Sequence, residues 1–167
     1  MEYINKNAKN LYLMCGVPGS GKTTWCKNQI AKDTSYQSLH VSRDIIRFAL
    51  VDESDAYFSK EDEVFDEFIR EIAAAIRHPR VKDIYVDATH LNEKSRNKVL
   101  NRLPSLGEIN VIPVNFLVDI DTILERNNMR EGRSKVPEDA ILRMQRSFQP
   151  ATTSEKYSYN KIINVKE

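Results

Sequence analysis

The amino-acid sequence predicts an α/β domain: a parallel sheet of about five strands, with helices on both faces and a short basic lid. Short apolar runs alternate along the chain with segments of helical periodicity, which is typical of parallel strands joined by crossover helices. The chain has 167 residues, 41% of them hydrophobic and 29% charged, enough for one domain with a buried core. We therefore treat residues 1–167 as a single domain.

The first half of the chain predicts three strands and three helices. The continuous apolar run at 11–15 is typical of a strand buried on both faces. Ser59 and Asp62 form a capping box that opens a long amphipathic helix, which Pro79 ends. In chain order we expect a strand at 11–15, a helix at 24–32, a strand at 38–41, a helix at 45–51, the long helix, and a strand at 81–87.

The second half continues the alternation. Asn92 caps a helix that runs to Leu103, and Pro113 weakens the first half of the next strand. Pro137 suits the first turn of a helix that ends at Phe148. After the helix at Asn92, the predicted elements are a strand at 111–118, a helix at 119–129, a basic loop at 130–135, the helix at Pro137, and a strand at 162–165.

A glycine-rich stretch between the first strand and the first helix carries the strongest functional signal. Residues 16–23 match G-x-x-x-x-G-K-[ST] at every defined position. The glycines let backbone N–H groups turn inward around phosphate oxygens. Lys22 is expected to reach the β- and γ-phosphates, and the Thr23 hydroxyl to coordinate Mg²⁺. The motif predicts a P-loop NTPase fold, with the nucleotide held by Gly16, Pro18, Gly19, Ser20, Gly21, Lys22, Thr23 and Thr24.

ATP is the expected nucleotide. A switch GTPase needs Asn-Lys-x-Asp after a late strand, and the sequence at 160–163, Asn-Lys-Ile-Ile, lacks the aspartate. An AAA-type motor needs an additional helical domain, for which we expect this chain to be too short. A small kinase remains, which must place an acceptor hydroxyl in line with the γ-phosphate.

Three groups of residues can supply the rest of a kinase site. Asp44, after the second strand, can take a proton from an acceptor hydroxyl, and Arg47, one helical turn on, can hold a substrate phosphate. Asp87 ends a buried strand, where an acid is costly unless it meets a metal, a donor or a substrate, while His90 is expected at the rim of the site. The third group is a basic run that acts as an arginine lid: Arg126, Arg130, Arg133 and Lys135.

These segments resemble the kinase domain of phage-type polynucleotide 5′-hydroxyl kinases. The resemblance rests on the glycine-rich stretch through Trp25, on Ser42-Arg-Asp44, on Val86-Asp-Ala-Thr89 with Leu91-Asn92, and on Arg126-Asn127 through Val136-Pro137. It spans roughly residues 11 to 147, in the same order and with similar spacing. The substrate implied is the 5′-OH end of DNA or RNA, with ATP and Mg²⁺ as cofactors, and nucleic acid repair as the setting.

The resemblance also implies individual roles. Asp44 would be the general base, Arg47 would bind the adjoining phosphate, and Arg130 would stabilise the transition state. The remaining roles are Arg126 near the adenosine, Asp87 and Thr89 at the acceptor, and Val136 against the terminal base. The lid, residues 130–136, is one residue longer than in this family, so the part of Arg130 can belong to Arg133. Larger members carry a phosphatase or ligase module, for which there is no room here, so we expect any such partner on another chain.

Other readings stay open at this stage. Related P-loop kinases act on metabolites, nucleotide sugars or aminoacyl-tRNA, and an ATP-binding switch needs no acceptor. No apolar run approaches the ~20 residues of a membrane span, and Cys15 and Cys26 fit no disulfide framework or metal spacing, so a cytoplasmic protein is expected, with homo-oligomers open. Between Asp52 and Glu71 there are nine acids and two bases, a net charge of −7, and the remainder carries +8. This asymmetry suits either a polyanion that approaches one face and avoids the other, or simply an acidic helix exposed to solvent.

Overall fold

A computed structural model of the protein describes residues 2–166. It contains one sheet of five parallel strands, which confirms the predicted α/β fold. The spatial order is β2-β3-β1-β4-β5, so β3, β1 and β4 are flanked by strands on both sides. The strands are β1 (Asn10–Cys15), β2 (Ser38–Ser42), β3 (Asp83–Asp87), β4 (Asn110–Leu117) and β5 (Ile163–Lys166).

Six α-helices connect the strands among the described residues. Two short 3₁₀ turns, Leu106–Glu108 and Gly132–Ser134, lie in the connections. All six helices were predicted, with shifted ends. They are α1 (Lys22–Lys32), α2 (Arg43–Leu50), α3 (Glu61–Arg77), α4 (Glu93–Leu100), α5 (Ile120–Asn128) and α6 (Glu138–Ser147).

The predicted capping box at Ser59 is wrong. Helix α3 begins at Glu61 after Lys60, which makes no side-chain cap. Lys60 instead donates from Nζ to the Leu50 carbonyl, 3.0 Å away, and so ties the start of α3 to the end of α2. The cap at Asn92 is confirmed, because its side chain accepts from the Ser95 N–H at 2.9 Å. Helix α4 then ends at Leu100, three residues before the predicted end.

Strand β4 runs unbroken through Pro113, which was expected to weaken it. The N–H and C=O of Val111 both bond to Asn160, on the β5 side. Since alternate residues direct their backbone groups to the same side, the missing N–H of Pro113 also faces β5. Pairing with β5 begins only at Val114, so the proline removes no ladder bond that the sheet requires.

Apolar residues are buried on both faces of the sheet. Leu11 and Leu13 pack with the apolar face of α3, and the alternate residue Met14 packs with Cys26 of α1 on the other face. This alternation places α1 and α3 on opposite faces of the sheet. Because β2, β3 and β1 are parallel neighbours, their carboxyl ends lie side by side. No helix within residues 2–166 is long and apolar enough to cross a membrane.

Candidate active site

The loop at residues 16–21, between β1 and α1, takes a shape that only glycine allows at key positions. Gly19 and Gly21 have φ angles of 88° and 96°, in the left-handed region where a side chain is strained. A Cβ on Gly16 would lie 2.7 Å from Ser20 Oγ, and one on Gly19 would lie 3.0 Å from the Ile123 carbonyl oxygen. The loop therefore packs tightly at Gly16 and Gly19, where a larger residue would not fit.

The groups inside this loop fit a polyphosphate. Lys22 is buried, and its Nζ donates to the Val17 carbonyl at 2.9 Å. Burial lowers the pKa of Lys22, although the charges of Asp87 and Asp44 act in the opposite direction. Ser20 Oγ is buried and has no hydrogen-bond partner among the described residues. Phosphate oxygens would supply a countercharge to the lysine and an acceptor for the hydroxyl. Pro18 is half-buried in the same loop, and Thr24 is exposed in the first turn of α1.

Thr23 and Asp87 meet beside the loop. The Thr23 hydroxyl donates to Asp87 Oδ2 at 2.7 Å, and His40 Nε2 lies 2.8 Å from the same oxygen. Burial would raise the pKa of Asp87, but the contacts with His40 and Thr23 and the charge of Lys22 hold it below its usual value. An ionised carboxylate and a hydroxyl are oxygen ligands of the kind that Mg²⁺ prefers, so these two residues suit the metal of a nucleotide complex.

His40 was not predicted as a site residue, and neither was a role for Cys26. The ligand atoms of Cys26, His40 and Asp87 lie within 4.8 Å of one another, a group able to hold a metal ion. The expectation that the cysteines have no metal spacing looked only along the chain, whereas this group joins three elements, α1, β2 and β3. Both cysteines are free and buried.

Asp44 and Arg47 meet on one turn of α2, directly after β2. Arg47 donates from Nη1 to Asp44 Oδ1 at 2.5 Å and from Nε to Glu61 Oε1 at 2.7 Å. The Tyr57 hydroxyl donates to the same Asp44 oxygen at 3.2 Å. Arg47 is buried, whereas the Asp44 side chain is 64% exposed, so a buried arginine holds an exposed carboxylate in place. Ser42 caps the helix by accepting from the Ile45 N–H, so Asp44 does not serve as the helix cap.

Glu61 and Tyr57 are parts of this arrangement that the sequence did not reveal. Burial would raise the pKa of Glu61, but the contacts with Arg47 and Arg43 lower it, so the acid stays charged. Glu61 lies at the start of α3, in the acidic segment that the sequence analysis could interpret only by its overall charge. It holds the Arg47 guanidinium from the side opposite Asp44.

The loop after β3 contacts the phosphate loop and the strand that precedes it. The Thr89 carbonyl accepts from the Gly16 N–H at 2.8 Å, and the Thr89 side chain is half-buried. The expectation of a rim position for His90 is wrong, because His90 is only 4% exposed. Its Nδ1 lies 2.5 Å from the Met14 carbonyl oxygen, and its ring lies against Phe68. His90 is therefore a buried support beneath the site.

The three lid arginines have different environments. Arg126, on α5, lies over the phosphate loop, with its Nη1 3.5 Å from the Gly19 carbonyl oxygen. Arg130 donates to the Ser134 carbonyl at 3.2 Å, and its positive charge adds to the effect of burial in lowering the pKa of Lys22. Arg133 points elsewhere: it donates to the Phe48 and Val51 carbonyls, at 3.3 and 2.5 Å, at the end of α2.

Asn127 fixes the far end of the lid. Its buried side chain donates to the Val136 carbonyl at 2.7 Å and accepts from the Val136 N–H at 3.0 Å. The Val136 side chain is half-buried against the apolar cluster that contains Val17. This reciprocal pair of hydrogen bonds explains the asparagine next to Arg126, since Asn127 joins the end of the lid to α5.

Known structures share this fold. A fungal RNA kinase matches with a TM-score of 0.65 and 14% identity, over 99% of this chain and 76% of that one. A chain of a Pnkp1/Rnl/Hen1 RNA repair complex matches with a TM-score of 0.68 and 19% identity, over 92% of this chain, which spans 51% of that longer one. A sugar kinase from Janibacter sp. HTCC2649 matches with a TM-score of 0.58 and 18% identity, over 95% and 85%. At these identities the likeness concerns the fold.

A search of the curated proteins found no match. A family model described as an AAA domain, AAA_33, matches residues 11–151. An AAA-type motor was not expected because it needs an additional helical domain; the six α-helices described in residues 2–166 are those that lie between the strands of the sheet. The matched range contains the phosphate loop, the Asp44–Arg47 pair and the lid. Because the match covers most of its length, this chain belongs to the AAA_33 family of AAA domains.

Proposed function

We propose that this protein is an ATP-dependent polynucleotide kinase that transfers the γ-phosphate of ATP to the 5′-OH end of DNA or RNA. One observation carries the proposal: an acid and a lid arginine meet the phosphate loop that holds Lys22. Asp87 accepts from Thr23 at 2.7 Å, and Arg126 Nη1 lies 3.5 Å from the Gly19 carbonyl oxygen. Asp44, the candidate base, follows β2, the strand that pairs with the strand of Asp87. A base, a metal-side acid and a lid arginine around one phosphate-loop lysine are the parts that phosphoryl transfer requires.

On this proposal the phosphate loop holds the β- and γ-phosphates, with Lys22 as their counterion. Thr23 and Asp87 would hold Mg²⁺, which neutralises charge on the phosphates when bound. Arg126 is suited to the nucleoside side, because it lies over the loop at Gly19. Arg130 would meet the charge that spreads over the transferred phosphoryl group.

Asp44 would orient the acceptor hydroxyl and accept its proton. Its carboxylate is exposed, and Arg47 and Tyr57 fix its position. Arg47 would bind the phosphate next to the acceptor nucleoside. Since the same guanidinium nitrogen contacts Asp44, a phosphate arriving there would compete for that nitrogen. Binding of the acceptor would therefore release the carboxylate that must take the proton.

Transfer of labelled γ-phosphate from ATP to short 5′-OH DNA and RNA oligonucleotides tests the proposal. The 5′-phosphorylated oligonucleotides are the control, and label on the 5′-OH ends alone is the expected result. Asp44→Asn should lower kcat by about 10²- to 10⁴-fold and leave ATP affinity nearly unchanged, since Asp44 makes no hydrogen bond to the phosphate loop in the described structure. An equal loss of ATP affinity would move Asp44 to the nucleotide site, and ATP binding without transfer would end the proposal.

A second candidate is a kinase for a small phosphorylated acceptor, because an aspartate–arginine pair binds such a molecule equally well. The salt dependence of acceptor KM separates the two. Affinity for a polynucleotide falls steeply as salt is added, because counterions are released on binding. Affinity for a small acceptor with a single phosphate would change much less, because few counterions are released. The fold shared with the fungal RNA kinase supports a polynucleotide as the acceptor. The proposal also includes a phosphatase or ligase partner on a separate chain.

A further inference from the structure

Three aromatic side chains beside Asp44 and Arg47 form a surface that no role described so far explains. We call Phe48, Tyr57 and Phe58 the aromatic cluster. The Tyr57 and Phe58 rings meet edge to face with centroids 4.7 Å apart, and Phe48 and Tyr57 lie 6.3 Å apart. Phe58 is 63% exposed. An exposed phenylalanine that is held in place by packed neighbours is suited to contact a ligand.

The cluster is attached to the proposed phosphate-binding arginine. The Arg47 guanidinium carbon lies 4.7 Å from the centroid of the Tyr57 ring and 5.4 Å from that of Phe58. The same guanidinium contacts Asp44. A nucleoside with its 5′-OH at Asp44 and its next phosphate at Arg47 therefore has the Phe58 ring within reach of its base.

The lid meets the cluster from the other side. The Arg133 guanidinium carbon lies 4.7 Å from the centroid of the Phe48 ring, while its nitrogens bind carbonyls at the end of α2. Arg133 thus supports the aromatic surface. By contrast, Val136, which the family resemblance placed against the terminal base, packs half-buried in the apolar cluster at Val17.

The charge around Phe58 limits what can bind there. Asp52, Glu53 and Asp55 are exposed in the loop that leads to it. Negative charge repels a phosphodiester backbone, whereas an uncharged base is tolerated. Stacking on an aromatic ring also accepts any base, since every base has a flat π-face.

We infer that Phe58 is the stacking platform for the unpaired terminal base of a 5′-OH nucleic acid end. The inference rests on the proposed function. The contact is confined to the terminal base, and the acidic loop keeps the following phosphates away from this surface. Recognition at Phe58 is therefore of a nucleoside at a strand end, without preference for one base.

Acceptor KM and kcat for two oligonucleotides test the inference: one with an ordinary 5′-OH nucleotide, and one whose terminal nucleotide lacks its base. Phe58→Ala should raise KM for the ordinary end about 5- to 100-fold, with kcat and the KM for ATP unchanged. The KM for the abasic end should not change in Phe58→Ala. Wild-type protein should already bind that end about as weakly as the variant binds the ordinary end. Phe58→Tyr keeps a ring and should keep the wild-type KM.

Tyr36→Ala is the matched control, because Tyr36 is 93% exposed and precedes β2, at the opposite end of the strand from Asp44. An unchanged KM for Phe58→Ala, or an equal rise on both oligonucleotides, would overturn the inference. So would a base-specific rise in Val136→Ala alone, which would return the base to the lid. If wild-type protein labels neither oligonucleotide, the proposed function fails and the inference fails with it, an outcome distinct from the others.

Discussion

The most direct test of the buried part of the site is the response of His90 to pH. His90 is 4% exposed, and its Nε2 has no hydrogen-bond partner among the described residues. Nδ1 lies 2.5 Å from the Met14 carbonyl oxygen, so the proton of the neutral ring belongs on Nδ1. Acid would add a second proton at Nε2, inside the protein, where nothing in the described structure accepts it.

The structure sets the size of the effect. Burial lowers the pKa of His90 from 6.5 to about 4; the contact with Met14 opposes this shift, the charges of Arg43 and Arg96 add to it, and that of Asp87 opposes it. The unfolded chain therefore takes up the proton first as the pH falls. The stability contributed by neutral His90 is fully present above pH 6.5 and is lost as the pH falls toward 4. At about 1.4 kcal/mol per pKa unit, the loss between pH 7 and pH 5 is about 2 kcal/mol.

Urea unfolding at pH 7 and pH 5 measures this loss. The comparison variant is His90→Asn, because asparagine tolerates the positive φ of 40° at this position and offers an N–H to Met14. Wild-type protein should lose about 2 kcal/mol over this range, and His90→Asn should lose much less. The exposed His78→Asn should behave as wild type. Equal losses in wild type and His90→Asn would refute the reasoning.

The other predictions concern the lid, the phosphate loop and a buried ion pair. Arg130→Ala should lower kcat about 10²- to 10³-fold, and Arg133→Ala should act mainly on acceptor KM; the reverse result would exchange their roles. Gly19→Ala should weaken ATP binding in calorimetry and destabilise the protein by about 1–2 kcal/mol, whereas Gly107→Ala, which meets nothing within 4 Å, should do neither. Arg96→Met strands the Glu155 carboxylate, whose contact with Arg96 is 2.8 Å long, and should cost about 3–5 kcal/mol in urea unfolding.

The sheet could be predicted because its signals are local. A buried parallel strand is a continuous apolar run, and such runs are visible at β1, β3 and β4. The failures depend on contacts between distant segments. The start of α3 is fixed by Lys60 reaching the end of α2, which a capping pattern at Ser59 cannot express. Pro113 is tolerated because β5 begins to pair only at the next residue, a fact of register that composition does not contain.

The site divides in the same way. The phosphate loop and Asp44 come just after strands and Asp87 ends one, and parallel strands bring such residues to one edge of the sheet. Residues that act through packing gave no signal along the chain. Glu61 is 14 positions from Arg47 and holds it through a 2.7 Å hydrogen bond. His40 reaches Asp87 from the outermost strand, across the ladder between β2 and β3.

The acidic segment shows why charge counts alone could not decide its role. Its excess of acids suggested a face that a polyanion avoids, or an ordinary solvated helix. In the structure Glu61, from this segment, forms an ion pair with the buried Arg47. A buried guanidinium without such a partner destabilises the folded protein, so Arg47 requires an acid nearby. On the proposed function the segment would have two roles: Glu61 stabilises the buried Arg47, and the exposed acids would repel phosphates from the surface beside it.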